Sequence, residues 1–459
     1  MSLKSAAPLR IFAATAMSFV VLTAPDLGAQ VINQGLQPGL TRAPDSARKI
    51  SLDEAISLAQ RNSPQAIQAA GTERTSKAAR TSAIGAILPS ANLSAGHVIQ
   101  LGGNTARLNQ NGELVAVAQK PTNTLGLGLN MTLFDGGQKL YDLRTAKSQI
   151  EAAEANTVAV KYNVALGVKQ QYYAVLAAIE SEDAARLQMA QATEQFKTSV
   201  AKVRAGVATR SDSLRGVIQV GNAQLALITA QNNKESADAA LTRMVGSPVP
   251  VTADPASIQE NLAALPDSAE LAKLALNGPA VQQAQASVEA AREATKASKA
   301  TYLPSLSASY SRSGSGTDPK FGLGDDPFSY NGRLSFSLSY PVFNNFQREE
   351  QVVRAKVSQM NAEATLRDQQ LASTQLLTQN IGALRSASQR VAVQAASVAA
   401  AQEDVRVQQQ RYNIGASTLL DLITSQASLA TAEQALIQAR YDYRIARAQL
   451  EALIGRDLQ

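Results

Sequence analysis

The chain has 459 residues, 45% of them hydrophobic but only 4% aromatic, with no tryptophan, no cysteine and a formal net charge of +6 at neutral pH. The missing cysteine excludes disulfides, thiol catalysis, thiolate metal sites and a lipid-modified cysteine, and the lone histidine, His97, excludes a histidine-based metal cluster or a catalytic triad within one chain. Acidic and basic residues interleave, so the positive balance reads as a solvated surface and not as a nucleic-acid footprint; no cofactor and no enzyme activity is indicated.

Residues 1–29 read as an export signal, with Lys4 and Arg10 ahead of an apolar stretch from Ile11 to Leu22 and Leu27-Gly28-Ala29 before Gln30 as a small-residue cleavage site. No other window approaches the ~20 apolar residues of a membrane-spanning helix. Residues 30–49, with Gly and Pro and little periodicity, read as a flexible segment. A first repeat then occupies 50–250, a linker 251–265 and a second repeat 266–456. From Ser51 the pattern is helical: Leu52, Ala55, Ile56 and Ala59 share a stripe, and Ser51 to Glu54 has capping-box spacing. Asn62-Ser63-Pro64 breaks this helix, which resumes towards Leu88-Pro89.

Two-residue alternation follows over about 90–101 and 124–134. In the second stretch Leu125, Leu127, Leu129, Met131 and Leu133 alternate with Thr124, Gly126, Gly128, Asn130 and Thr132, which gives one apolar face and one small polar face. The later half repeats this over about 303–312 and 330–340, where Leu334, Phe336 and Leu338 alternate with Arg333, Ser335 and Ser337. Each strand is long enough to cross an outer-membrane hydrocarbon layer when tilted, and Tyr310, Tyr330 and Tyr340 are expected near strand ends, as an aromatic girdle. A soluble sandwich would show the same alternation in any one strand. The segments 102–123 and 313–329, rich in Gly, Asn and Asp, read as outward loops.

The chain is written twice. Phe134 to Gly246 superimposes without a gap on Phe343 to Gly455, 209 positions later, so Gly206 falls on Gly415 and Asp212 on Asp421. Upstream the shift is 215, matching Leu88-Pro89-Ser90 with Leu303-Pro304-Ser305. After each strand pair comes unbroken helical sequence; residues 138–203 as one helix would be ~99 Å long. The closing helix carries Leu422, Leu429, Leu436, Tyr443 and Leu450 every seven residues, interleaved with Ser425, Ala432, Ala439 and Ala446. Alternating large and small residues at a heptad period predict coiled-coil packing with close axes.

Four such strands cannot close a barrel, because the smallest membrane barrels have about eight, and open edges in lipid leave backbone groups unpaired. Several copies must therefore share one barrel, with the helices continuing as a tube. In the duplicated helix, Leu-Pro-Ser, strand pair, Phe-Asp/Asn-x-x-Gln and turn-glycine layout, and in the run Tyr412-Asn413-Ile414-Gly415-Ala416-Ser417-Thr418-Leu419-Leu420-Asp421-Leu422, the chain resembles the TolC-like outer-membrane efflux proteins along the whole length that follows the export signal. The resemblance implies a mainly α fold with membrane β-structure. Three chains with four strands each would build a twelve-stranded barrel continuous with a long periplasmic α-helical barrel. The expected setting is the outer membrane, with contacts to its lipid and to a periplasmic adaptor, an inner-membrane pump and sibling copies in a homotrimer. By the same resemblance Gly206 and Gly415 match the periplasmic tip turns and adaptor contact, Asp421 with its counterpart Asp212 the gate, and Tyr412 a tie between tip helices through Asp212. Leu125, Leu127, Leu129, Met131, Leu133, Leu334, Phe336 and Leu338 would face lipid. Ser417 replaces a latching Arg of the typical member and Thr424 a second acidic residue, with Arg210 the substitute on the other turn. Both Asp residues also have capping-box spacing with Thr209 and Thr418, so helix capping alone accounts for them equally well. A protein-secretion duct of the same fold shares all these features, and a pore-free periplasmic scaffold shares the helices.

Overall fold

The computed structural model describes residues 47–99, 105–108, 114–117, 121–257, 268–317 and 329–458. The expected signal, most of the 30–49 segment, residues 100 and 101 of the first strand and residues 258–265 of the linker lie outside them. A short strand β1 (Arg48–Ile50) leads to α1 (Leu52–Asn62), α2 (Pro64–Gly85) and β2 (Ser90–Val98). A small pair, β3 (Thr105–Leu108) and β4 (Leu114–Val117), precedes β5 (Thr122–Phe134), α3 (Gln138–Arg204), α4 (Arg210–Val245) and β6 (Val251–Ala253). The second repeat has α5 (Ser268–Leu276), α6 (Pro279–Ala300), β7 (Ser305–Gly316), β8 (Ser329–Ser339), α7 (Gln347–Asn413) and α8 (Leu419–Ile454).

The duplication survives in the lengths. Both α3 and α7 have 67 residues, about 100 Å of helix; α4 and α8 have 36 each and α2 and α6 have 22 each. The short helices stack in line. A Cβ on Gly455, just past α8, would lie 2.7 Å from Pro279 Cγ at the start of α6, and one on Gly246, just past α4, would lie 3.0 Å from Asn62 Cβ next to α2. Each long helix is thus faced by two short ones end to end. The α3 rod packs against α2 and α4 and also against α6 and α8, whereas α7 packs against α6 and α8 but has no comparable contact with α2 or α4 of its own chain.

The seams mix small and large residues, as the heptads predict, with Leu422 and Leu450 of the heptad series fully buried. Gly216, Ala223 and Ala230 on α4 and Ser425, Ala439 and Ala446 on α8 are buried, while Leu429 and Leu436 are only half-buried. Gly216 shows the reason, since a Cβ there would stand 3.0 Å from the Phe196 ring. The proline break at Ser63 is a helix cap, its side chain accepting from Ala66 N. Ser51 accepts from Glu54 N, but the Glu54 carboxylate turns to Arg48 instead of closing the expected box.

Two sequence readings need correction at mid-height. Arg48 and Lys49, read as flexible, and Ile50, the first residue of the first repeat, pair parallel with Val251–Ala253, read as linker. The cause is burial: Ile50, Val251 and Ala253 enter a core with Val168, Tyr172, Leu241 and Val245, and the Tyr172 hydroxyl donates to Ile50 O or Asp254 O while accepting from Asp254 N. Three-residue strands carry too little periodicity to be seen in sequence. Across the way α5 buries Leu271 and Ala275 against Leu377, Leu384, Ala446 and Leu450.

The main sheet has the antiparallel order β2-β5-β7-β8. One face carries Leu93, Leu125, Leu127, Leu129, Met131, Leu306, Tyr310, Leu334, Phe336 and Leu338; the other carries serine, threonine, asparagine and glycine with Arg333. Three expectations shift here. A bulge between Thr132 and Phe134 sets Phe134, not Leu133, opposite Leu306. Because β7 runs on to Gly316, Tyr310 lies mid-strand instead of near an end, and the stretch read as a loop between the first two strands contains the β3–β4 pair. His97 pairs with Asn123 across β2 and β5, Nδ1 to Oδ1 2.5 Å.

Removing the Tyr172 hydroxyl should loosen the β1–β6 pair. Tyr172→Phe is expected to cost about 1–3 kcal/mol and to speed amide exchange at Thr252 and Ala253, read by hydrogen–deuterium exchange.

Candidate functional site

The far end of the helices, away from the sheet, gathers the residues singled out in sequence. α3 ends in a turn whose Gly206 has φ +77° and α7 in one whose Gly415 has φ +75°. Val207 N donates to Lys202 O and Ala416 N to Arg411 O, the six-to-one bond of a Schellman turn, which needs the left-handed residue that glycine supplies without strain. Beside the glycines Val207 and Ile414 are almost fully exposed, at 74% and 80%. Helices α4 and α8 restart from identical caps. Thr209 N donates to Asp212 Oδ2 (3.0 Å) and Asp212 N to Thr209 Oγ1 (3.3 Å); Thr418 N donates to Asp421 Oδ2 (3.0 Å) and Asp421 N to Thr418 Oγ1 (3.2 Å). Both carboxylates therefore cap their helices.

Their surroundings differ. Asp212 is half-buried and Asp421 exposed. Hydrogen bonds from the Thr418 side chain and backbone, then from Ser417, hold the Asp421 carboxyl below the usual range for an aspartate, with Arg411 adding a smaller attraction. Ser417 Oγ lies 3.2 Å from Asp421 Oδ2 and 3.0 Å from Gln408 Oε1, so its one proton serves one or the other. Thr424 spends its hydroxyl on Leu420 O, and Arg210 lies exposed on the first turn of α4.

Tyr412 is buried against Leu419 and Leu422. The structure does not bring it to Asp212 within the chain. Lys202 reaches it instead: its Nζ lies 3.8 Å from the centre of the Tyr412 ring and donates to Tyr412 O at 3.3 Å, joining the tips of α3 and α7. The Tyr412 hydroxyl has no hydrogen-bond partner among the described residues. Sequence reasoning missed Lys202 because its duplicate position is Arg411, which bonds its own turn at Ala416 O; nothing in either unit alone marks the cross-tip contact.

At the opposite end the sheet stays open. β2 and β8 are its edges, and in the single chain Leu93, Leu334, Phe336 and Leu338 are 63–73% exposed. Running strands, helical rods and tip turns in sequence, twice per chain, the protein has the architecture of one subunit of a transmembrane duct. The profile of the Outer membrane efflux protein family matches residues 55–247 and 271–456, so each repeat is matched separately, and the chain belongs to that family. It is 25% identical over 345 residues to the outer membrane efflux protein BepC of Brucella suis, covering 75% of each chain, and 22% identical over 427 residues to the outer membrane protein TolC of Vibrio cholerae, covering 88% of this chain and 90% of that one. The Campylobacter jejuni CmeC outer membrane channel superimposes with a TM-score of 0.72 at 18% identity, over 94% of each chain.

The chain is accordingly an outer-membrane exit duct of an efflux or secretion system that extends into the periplasm, a passive channel and not an enzyme. It works as a homotrimer with a periplasmic adaptor and an inner-membrane pump. A scaffold without a pore is thereby set aside.

The two caps give a paired test of local stability. Thr418→Ala and Thr209→Ala should each cost about 1 kcal/mol at the start of the following helix, seen as faster amide exchange over residues 419–422 and 210–213 respectively.

Proposed function

We propose that the tip controls entry to the duct electrostatically, with Asp421 as the controlling residue. One observation carries this reading: Asp421 is an exposed carboxylate at the tip end of the helices, held by the Thr418 backbone and side chain, with Ser417 shared between it and Gln408, and these hydrogen bonds keep it ionised. Repeated by the threefold assembly around one axis, it would concentrate negative potential, favour small cations and hold a polyvalent cation as a plug. Asp212, half-buried in the equivalent cap, would support the same potential from further back. Tyr412, with Lys202 on its ring, would tie the α3 and α7 tips, and the exposed turns at Gly206 and Gly415 would meet the adaptor.

The same reading assigns the apolar sheet face to lipid, through Leu125, Leu127, Leu129, Met131, Leu334, Phe336 and Leu338, with Phe134 in the place expected of Leu133. Tyr330 and Tyr340 support this, standing ten positions apart on β8 and its end. At ~3.4 Å per residue and a tilt of ~35–45° they are about 24–28 Å apart in height, against an apolar band ~25 Å tall.

Capping and gating separate in one comparison. In planar bilayers Asp421→Asn, which keeps an acceptor for Thr418 N but loses the charge, should lower cation selectivity and weaken block by hexamminecobalt severalfold, whereas Asp212→Asn should do so much less. Equal and negligible effects would leave both residues as caps only.

A pH series adds a second test. Since the folded Asp421 carboxyl titrates below its unfolded value, about 3.9, its charge and its contribution to the cap are full above that pH and are lost as pH falls through the lower, folded value. Cation block should therefore stay constant from neutral pH to about 4 and fade only beneath it.

A further inference from the structure

The two faces of β7 are unusually pure. Ser305, Ser307, Ser309, Ser311, Ser313 and Ser315 form one; Leu306, Ala308, Tyr310, Arg312 and Gly314 form the other. Arg312 therefore sits on the apolar face, the only Arg or Lys on that face among the described strand residues. A cation facing acyl chains is costly at the bilayer midplane and nearly free of cost at its boundary, so its guanidinium must reach a boundary and find an anion there.

The geometry shows which boundary. Arg312 lies opposite Leu127 and Gly332, and its Cζ is 5.3 Å from the ring centre of Tyr330, which lies opposite Gly314, one pair further from the helices. The side chain thus runs outward along the strand, away from Leu334 and Phe336, with its head stacked at the level of the outer tyrosine. One pair beyond Leu125, on the same face, stands the polar His97–Asn123 couple. Because the helices extend into the periplasm, this end lies at the outer leaflet. Arg312 makes no ion pair with a carboxylate among the described residues.

We propose that Arg312 and Tyr330 form a site for the phosphate of an outer-leaflet lipid headgroup. The stacked guanidinium has no hydrogen-bond or ion-pair partner for its N–H edge among the described residues, and that edge would meet two phosphate oxygens in the bidentate geometry that arginine offers and lysine does not. A lipid fits better than a free anion because exposed Leu127, Leu334 and Phe336 lie directly below to take its acyl chains. Three equivalent sites ring the assembled barrel. The inference rests on the assignment of this sheet face to lipid.

The test uses the full-length trimer in detergent, with phosphorylated lipid A, dephosphorylated lipid A and inorganic phosphate as probes, read by native mass spectrometry and by the midpoint of thermal trimer dissociation. Phosphorylated lipid should stay bound and raise the midpoint, dephosphorylated lipid should do neither, and inorganic phosphate at the same concentration should not displace the lipid. Arg312→Gln should weaken retention about tenfold, and Arg312→Lys should recover only part of it. Equal retention of both lipids, unchanged retention by Arg312→Gln, or displacement by inorganic phosphate would overturn the proposal. Should Arg312→Gln fail to assemble, the two lipids compared on the wild-type trimer decide. A nitroxide at Phe336 in bilayers tests the underlying face separately. If it is reached by oxygen and shielded from aqueous nickel while the lipid arms fail, the phosphate site alone falls; if it is water-accessible, the lipid face falls with it.

Discussion

An unpaired backbone group in hydrocarbon costs several kcal/mol, and the rest of this structure follows from avoiding that cost at two strand edges. The four-stranded sheet leaves β2 and β8 open. β2 runs away from the helices and β8 runs towards them, so β8 of one copy can pair antiparallel with β2 of the next without disturbing the alternation. The helical wall is incomplete at the same seam. α3 is flanked on both sides by stacked short helices, whereas α7, which follows β8, lacks the flank that α2 and α4 supply to α3. α7 leaves Val353, Met360, Leu371 and Val393 exposed, as α4 leaves Leu214, Ile218 and Leu225. One rotation of the homotrimer closes barrel and tube together.

The internal duplication makes that closure regular, but the two units are not interchangeable. At the strand-to-helix corner the first unit has Gly136 and Gly137 at φ +71° and +85°, while the second holds Asn345 and Phe346 at +56° and +59°. Gly136 has no alternative, since a Cβ there would stand 2.4 Å from Ala300 O. A left-handed phenylalanine costs about 1–3 kcal/mol, and here the ring packs edge-on against Phe343 at 5.5 Å. At mid-height the asymmetry is ionic. Lys169 of α3 binds Glu451 of α8 at 2.6 Å and Asp457 at 3.2 Å, while Arg447 supports Glu451 at 3.3 Å. Burial lowers the Lys169 pKa, but the two carboxylates more than offset it, so the group stays charged and cross-links the repeats.

The same divergence shapes the tip. Both units keep the Schellman glycine and the threonine–aspartate cap, because a chain reversing between two long helices must satisfy the carbonyls it leaves and the N–H groups it meets. Around this shared frame only one unit contributes Tyr412, only the other contributes Lys202, and only Asp421 is both exposed and bound by an extra serine. Charge control and mechanical linkage are thus laid over a capping device that each helix start requires anyway.

Helix lengths, tip glycines, both capping boxes and the apolar strand face were legible in the amino-acid order, because each follows from contacts within a few residues or from a period repeated many times. The sequence does not reveal that Phe134 takes the place opposite Leu306 expected of Leu133, because a bulge shifts parity by one residue without altering composition, nor that β7 runs past 312 to Gly316, because a run of glycine and serine has no hydrophobic period to extend. Tertiary structure alone decided the β1–β6 pair around Tyr172, the Lys202–Tyr412 contact, the outward lean of Arg312 and the missing flank of α7. Each joins residues far apart in the chain, and such contacts are fixed by the surface and charge that remain after the local elements have formed.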